Sequence, residues 1–399
     1  MMTSAPDVAY WIVGAPVFRD GWQTDRARLG THLGDGVELL QHLPPEPARD
    51  PQHRLTAHYV HEEFRQARAG FLARHAGEIH RRIAERHAEP RMADLLRIGE
   101  VLFPELVPAG PDHTLDQALF VAALVRDPES GPMVVDAMRA PTRRALRLLA
   151  DFRRSGRTDL GRAHVRRVGA SAHVTLANPE AGNAEDDVSL ADLEVAVDLA
   201  LLHDDIRVAV LRGGPVPGPA GGSRRVFSAG VDAAGVERGA VTFAGFVLRR
   251  EFGVLAKIAW GLVDPGRAAV ISKPWLAAVD TVAAGCGADA LAAFDRVLVA
   301  ADAHAVSPAY ETPLDAAAML ARGLADAVAD PDAMDAAVDR EAAHLQTRRG
   351  PVVPPGLGAL AGRVQEQLWW LRHGKDAARP APATNRNEAG RPDAVRRMA

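Results

Sequence analysis

The sequence predicts an α/β protein in which a helical N-terminal domain precedes a core of alternating strands and helices and short helices close the chain. Three observations carry this. Between Leu55 and Leu149 apolar residues recur at helical spacing, as in Phe64, Ala67, Phe71 and Leu72. From Arg162 the pattern changes to the two-residue alternation of strands, rich in β-branched residues, through His164 to Leu176. After that, compact apolar runs alternate with helical stretches, the rhythm of an α/β domain with crossovers.

In order along the chain, Pro104, Pro108 and Pro111 punctuate the helical domain, and a strand pair spans His164–Leu176. An amphipathic helix is expected over Leu190–Leu202, a strand over Ile206–Leu211 and a Pro/Gly-rich loop over Gly213–Ser223. A long helix over Phe243–Trp260, a buried strand over Trp275–Val279, a short helix over Ala288–Phe294 and a strand over Val297–Ala300 complete the core. Helices follow over Leu314–Val328, Ala333–Leu345 and Leu357–Leu371. Beyond Gly374 there is almost nothing apolar to bury, which predicts a disordered tail. The divisions are therefore 1–160, 161–312, 313–374 and 375–399.

With 399 residues and 47% hydrophobic content the chain can bury a full core. A net charge of -4 leaves no basic surplus for a nucleic-acid backbone, so nucleic acid is not expected as a partner. The single cysteine, Cys286, rules out an intramolecular disulfide and fits a reducing compartment. No basic patch leads into an apolar run at the N-terminus, and no stretch of about 18 apolar residues occurs; neither export nor membrane insertion is expected, and the predicted location is cytoplasmic. The lysines, Lys257, Lys273 and Lys375, are outnumbered by arginines, which reads as genomic composition. The histidines His58, His61, His75, His80 and His87 lack the spacing of a helix-borne zinc pair, so no metal site is expected.

Two segments carry the chemistry. Val226–Asp232 reads as a strand ending in Gly230, with the amide of Val231 just beyond it. Ala283–Asp289 is a glycine-rich turn entering a helix near Ala288, with the amide of Cys286 within it. Amides at helix N-termini are unpaired, so two of them converging from separate loops would stabilise the enolate of a thioester. Taken singly, Gly230 and Gly285 could equally be turn glycines; their order and separation make the pair more specific.

These segments resemble the paired oxyanion signatures of the crotonase (enoyl-CoA hydratase/isomerase) superfamily, and Lys273–Asp280 resembles the buried strand before the second. Within it, the stretches Asn183–Asp186, Ala196–Leu202, Val226–Val231, Phe246–Gly253 and Arg126–Glu129 are similar to the cofactor-independent 3,5-dihydroxyphenylacetyl-CoA 1,2-dioxygenases. The resemblance implies a crotonase-like ββα core and oxyanion amides at Val231 and Cys286. It also implies that Glu185 and Arg250 grip a hydroxylated ring. The alternative for Glu185 is a salt bridge or a charge at a helix N-terminus, and for Arg249 and Arg250 a solvated face. No cofactor is implied: O2 is a co-substrate, CoA is part of the acyl-CoA substrate, and the assembly is a homo-oligomer, a trimer or hexamer.

Cys286 stands where the family has a glycine, and a Cβ there meets the thioester's approach; a non-glycine residue also resists positive φ. Asp289 matches neither a dioxygenase's neutral amide nor a hydratase's glutamate. After Val306–Pro313 about two helices of the family are missing. Two other readings stay open: a hydratase, isomerase or thioester hydrolase using Asp289 and Glu311 as acid and base, and a noncatalytic paralogue.

Overall fold

The computed structural model describes residues 5–108, 114–218, 222–264, 269–308 and 310–347. The expected helix at Leu357–Leu371 and the expected tail lie outside them. By contact the described chain forms two units that meet in sequence between Val135 and Asp136.

The first unit is all helical: α1 (Ala5–Val13), α2 (Trp22–Gln41), α3 (Pro51–Ala84), α4 (Met92–Leu102), α5 (Thr114–Arg126) and the first part of α6 (Ser130–Arg139). The apolar periodicity located α3 to α6, whereas α1 and α2 precede the run the sequence marked out. Asp50 caps α3 by accepting the His53 amide at 2.8 Å, and Pro51 follows at the position where a missing N–H costs nothing. Its long buried stripe includes Val60, Phe64, Phe71, Ile79 and Ile83. Two buried acid–histidine pairs join α2 to α3, His75 with Asp25 at 2.9 Å and His32 with Glu63 at 3.0 Å. They satisfy polar groups that would otherwise be stranded in an apolar interface.

The second unit opens with the end of α6 and α7 (Arg143–Ser155), capped by Thr142 at its start and by left-handed Gly156 at its end. β1 (Arg157–Asp159), β2 (Ala163–Val168) and β3 (Ser171–Leu176) then run antiparallel, as the alternation predicts. α8 (Asp187–Leu202) carries a capping box, in which the Asp186 side chain accepts the Ser189 amide and Ser189 accepts the Asp186 amide. The helix is where the sequence places it, but it is not amphipathic: almost every residue from Ser189 to Leu201 is buried, because α7, β2, β3 and a later helix surround it.

β4 (Val208–Gly213) extends the sheet in parallel from β3. The Pro/Gly-rich loop contains a small antiparallel ribbon, β5 (Pro215–Pro217) with β6 (Ser223–Arg225), followed by α9 (Ala233–Glu237). The long helix at Phe243–Trp260 divides into a π-helix over Phe243–Leu255 and α10 (Ala256–Trp260). Arg139 closes its far end by donating to the Trp260 and Gly261 carbonyls at 2.6 and 2.9 Å. β7 (Leu262–Asp264) and β8 (Ala269–Ile271) pair antiparallel.

β9 (Trp275–Val279) is buried along its whole length, in agreement with the sequence. β10 (Val282–Ala284), α11 (Cys286–Ala290) and β11 (Arg296–Ala300) follow, then β12 (His304–Val306). The helix expected over Leu314–Val328 is replaced by β13 (Leu314–Asp315), α12 (Ala316–Ala321) and β14 (Ala327–Ala329). Backbone pairing with β12 and β11 overrides the helical propensity of its alanines. α13 (Met334–Gln346) matches expectation. The main sheet has the order β1-β2-β3-β4-β9-β11-β14, parallel from β3 onward, and β10-β12-β13 form a second sheet beside it. The predicted α/β class, with a helical N-terminal part before a strand-and-helix core, describes this architecture.

Candidate active site

The two glycine motifs meet. Phe227 donates its amide to the Val282 carbonyl at 2.9 Å and Ala284 donates to the Ser228 carbonyl at 2.8 Å, so the first motif lies along β10. A third segment joins them: Glu185 donates to the Gly230 carbonyl at 2.7 Å and Asp232 donates to the Glu185 carbonyl at 2.9 Å. Asn183 fixes that segment. It sits in the left-handed region at φ 59, which asparagine tolerates, and its side-chain amide donates to the Gly214 and Val226 carbonyls at 2.9 and 2.7 Å.

Gly230 has φ 90, and Gly285 has φ 50 with ψ -125, conformations that a Cβ strains. They also need each other's space, since a Cβ on Gly230 would lie 3.1 Å from the Ala284 oxygen and 3.6 Å from the Gly285 Cα. The positive φ thus falls on Gly285, whereas Cys286 is the first helical residue of α11. The expected conflict between its side chain and a left-handed backbone does not arise. Beyond each glycine stands an amide without an acceptor among the described residues, Val231 after the first and Cys286 after the second.

The side chains beside these turns form one buried network. Arg250, on the π-helix and 2% exposed, donates through Nε to Glu185 Oε2 at 3.2 Å and through one Nη to Glu251 Oε1 at 2.5 Å; its other Nη donates to the Cys286 carbonyl. Ser228 donates to the other Glu185 oxygen at 2.7 Å. The solvated alternative for Arg250 is therefore overturned, and the salt-bridge alternative for Glu185 describes its geometry. Arg249 is half-buried and reaches Glu194 at 3.4 Å. Burial works against the Arg250 charge, but Cys286, Glu251, Glu185 and Asp289 around it outweigh this and hold its pKa above the ordinary guanidinium value. Burial first, then the Glu185 carboxylate, pushes the Cys286 thiol well above its usual pKa, with Arg250 offsetting only part. Cys286 is a neutral thiol at physiological pH and not an activated nucleophile.

A cavity of about 20 Å³ opens against Glu185, Ser228 and Arg250 and is otherwise lined by apolar side chains such as Leu193, Phe227 and Val254. It holds about one water-sized molecule. Asp289, half-buried on α11, accepts from Ser307 Oγ at 3.5 Å. Glu311 is exposed in the loop before β13, outside this network. Val231, Cys286, Glu185 and Arg250 are thus brought together, with Asp289 at the edge. Sequence reasoning missed Ser228, Glu251 and Asn183. Ser228 lies inside the quoted motif, but nothing in a linear pattern shows that its hydroxyl turns inward. Among the described residues no group of three or more His, Cys, Asp or Glu side chains is arranged to hold a metal, and no helix is long and apolar enough to cross a membrane.

A (3,5-dihydroxyphenyl)acetyl-CoA 1,2-dioxygenase of Amycolatopsis orientalis is 39% identical to the chain over 289 residues, covering 68% of this chain and 67% of that enzyme. The chain belongs to this dioxygenase family. No family model matches it. Among solved structures, a Pseudomonas aeruginosa protein aligns at TM-score 0.39 and 23% identity over 58% of this chain and 98% of that one. An enoyl-CoA hydratase/isomerase from Xanthobacter autotrophicus Py2 aligns at TM-score 0.39 and 20% identity over 54% and 81%. Likeness at that level carries no argument about activity, so membership rests on the dioxygenase relative.

Proposed function

We propose that the chain is a cofactor-independent oxygenase acting on an arylacetyl-CoA thioester of the 3,5-dihydroxyphenylacetyl-CoA kind. One observation carries the reading: two glycine turns from separate parts of the chain abut, and the amide after each has no acceptor among the described residues. Fixed donors of this kind, on half-buried residues, are suited to an oxygen that gains charge during reaction, because they need no reorganisation when the charge develops. A thioester carbonyl seated there becomes an enolate when its α-proton is removed.

In this reading the enolate, delocalised into the electron-rich ring, transfers one electron to O2, and the substrate radical and superoxide combine at the α-carbon to form a peroxide. Its terminal oxygen attacks the thioester carbon and expels CoA thiolate, and cleavage of the O–O bond with loss of the remaining α-proton leaves the α-keto acid. One thioester and one O2 give one arylglyoxylate and one CoASH, with both oxygen atoms retained in the acid. The small, mostly apolar cavity beside Glu185 and Arg250 suits O2, an apolar diatomic, and is too small for the ring. The ring is assigned to the same pair, whose carboxylate can accept from phenol hydroxyls and whose guanidinium can stabilise a phenolate, and because both are buried its binding requires the space beside them to open. The protein works as a homo-oligomer in the cytoplasm in this reading, with neither metal nor flavin assigned a step. Exposure of Glu311 gives the Asp289/Glu311 acid–base alternative no support.

The test is O2 consumption and thiol release by metal-stripped protein given 3,5-dihydroxyphenylacetyl-CoA, beside an Arg250→Ala variant. Equal uptake and release, reduced by two orders of magnitude or more in the variant, is expected. Thiol release without O2 uptake would instead make the protein a hydrolase.

A further inference from the structure

Ser228, 1% exposed, touches both amide turns and the buried ion pair at once. Its Oγ accepts the Gly230 amide at 3.0 Å and donates to Glu185 Oε1 at 2.7 Å, while its carbonyl accepts the Ala284 amide at 2.8 Å. Its side chain also fills the space beside Gly287 of the second motif, where a Cβ would lie 2.5 Å from Ser228 Cβ and 2.7 Å from its Oγ. From Glu185 the connection passes through Arg250 to the Cys286 carbonyl. The result is a hydrogen-bonded chain from the Gly230 peptide to the Cys286 peptide.

We infer that Ser228 is a positioning residue that fixes the spacing of the Val231 and Cys286 amides. The Val231 N–H shares its peptide plane with the Gly230 carbonyl, which the Glu185 amide holds at 2.7 Å, and the Ser228 hydroxyl fixes the preceding peptide through the Gly230 N–H, so the two bonds together orient the Val231 amide. The second anchor is the Glu185–Arg250 pair, which ends on the residue bearing the other amide. Removing the hydroxyl leaves a buried N–H and a buried carboxylate oxygen each short of a fixed protein partner, and a water entering from the adjoining cavity would not hold the two turns at one spacing. The turns relax to satisfy them, and the amides lose their common focus. Donors aimed at a developing charge lose about 10 to 100-fold in rate for displacements well under 1 Å to about 1 Å. Substrate affinity, set largely by contacts remote from this oxygen, changes much less.

This rests on the enolate reading, and the experiment separates the two. Deuterium incorporation at the α-carbon of 3,5-dihydroxyphenylacetyl-CoA is followed in D2O under argon, which isolates proton removal from oxygen chemistry. The wild type is compared with Ser228→Ala, Ser228→Thr and Ser228→Val, each checked for folding by circular dichroism. The threonine and valine variants carry the same volume and differ in the hydroxyl alone. We expect kcat for exchange about 10 to 100-fold lower in the alanine variant with KM within about threefold, and threonine about 10-fold or more faster than valine. Equal rates in the threonine and valine variants, or an unimpaired alanine variant, would overturn the positioning role. Absence of exchange in the wild type would sink the enolate reading and the inference with it.

Discussion

Arg250 in the π-helix and Lys257 in α10 each stand between two buried carboxylates, Glu185 and Glu251 for the first, Glu194 and Asp198 for the second. The Lys257 cluster is closed. Its ammonium, wholly buried, donates to Glu194 at 2.9 Å and Asp198 at 2.6 Å, and the free Asp198 oxygen accepts the Thr142 amide at 2.7 Å. These contacts tie α8 and the start of α7 to α10, and Arg249, which reaches Glu194 at 3.4 Å, ties α8 to the π-helix as well. The Arg250 cluster is open: it reaches the Cys286 carbonyl, takes in the Ser228 hydroxyl and borders a cavity. Equal charge composition therefore does not set the role. What distinguishes the two is whether the network ends on helix-to-helix contacts or on backbone that presents unpaired amides.

The difference is sharpest if each cation is removed in turn. Lys257→Met leaves the buried Asp198 without a cation and Glu194 with the half-buried Arg249 alone, and loss of one partner from such a cluster costs about 3 to 5 kcal/mol. We expect that loss in urea unfolding, with kcat of the remaining folded protein within about threefold of wild type. Arg250→Ala strands Glu185 and Glu251 in the same way, so a comparable loss of stability is expected, but here the remaining folded protein should also lose two orders of magnitude or more in activity. A Lys257 variant that folds normally and is inactive would erase the distinction.

A smaller effect is expected where the two motifs touch. Gly287→Ala places a Cβ 2.5 Å from that of Ser228, and neither backbone is free to give way without moving a turn. Overpacking of this kind costs about 1 to 3 kcal/mol. Because the displaced residue is the one that holds Gly230, α-proton exchange should fall about 10-fold beyond what lost stability explains. Exchange at the wild-type rate in a well-folded Gly287→Ala protein would show that the turn spacing is not sensitive to this contact.

Much of this was legible in the sequence where the signal is local. The alternation from His164 to Leu176 gave an antiparallel pair, the apolar run Trp275–Val279 gave the central strand, and the glycines at 230 and 285 marked two turns that the structure brings together. Longer-range packing was not legible. α8 reads as amphipathic because Asp192, Glu194 and Asp198 interrupt it, yet those acids are buried against Arg144, Lys257 and the Thr142 amide, partners far away in sequence. The π-helix escaped for a similar reason, since apolar spacing does not separate a turn closed at i+5 from one closed at i+4. Lysine scarcity looked like composition alone, but Lys257 and Lys273 both direct their ammonium groups at pairs of buried oxygens, the latter at the Ala200 and His203 carbonyls at 2.8 and 2.6 Å. A compact three-donor group fits such pairs where a planar fork does not.

The closed cluster also carries the smallest and most specific expectation. Burial, reinforced by Glu194, raises the Asp198 pKa above its ordinary value despite the attraction of Lys257 and the Thr142 amide. A carboxyl whose pKa is higher folded than unfolded binds its proton more tightly in the native state. Its favourable contribution is present below the unfolded pKa and disappears as pH rises through the folded one. Asp198→Asn keeps the shape and cannot ionise, so it escapes that loss while weakening one acceptor for Lys257. The variant should melt below the wild type at the acid end of the folded range, and the gap should narrow steadily as pH rises through and above the ordinary carboxyl range. A melting-temperature difference that stays constant with pH would mean that Asp198 is ionised as readily in the fold as in the unfolded chain, and that Lys257 fully offsets its burial.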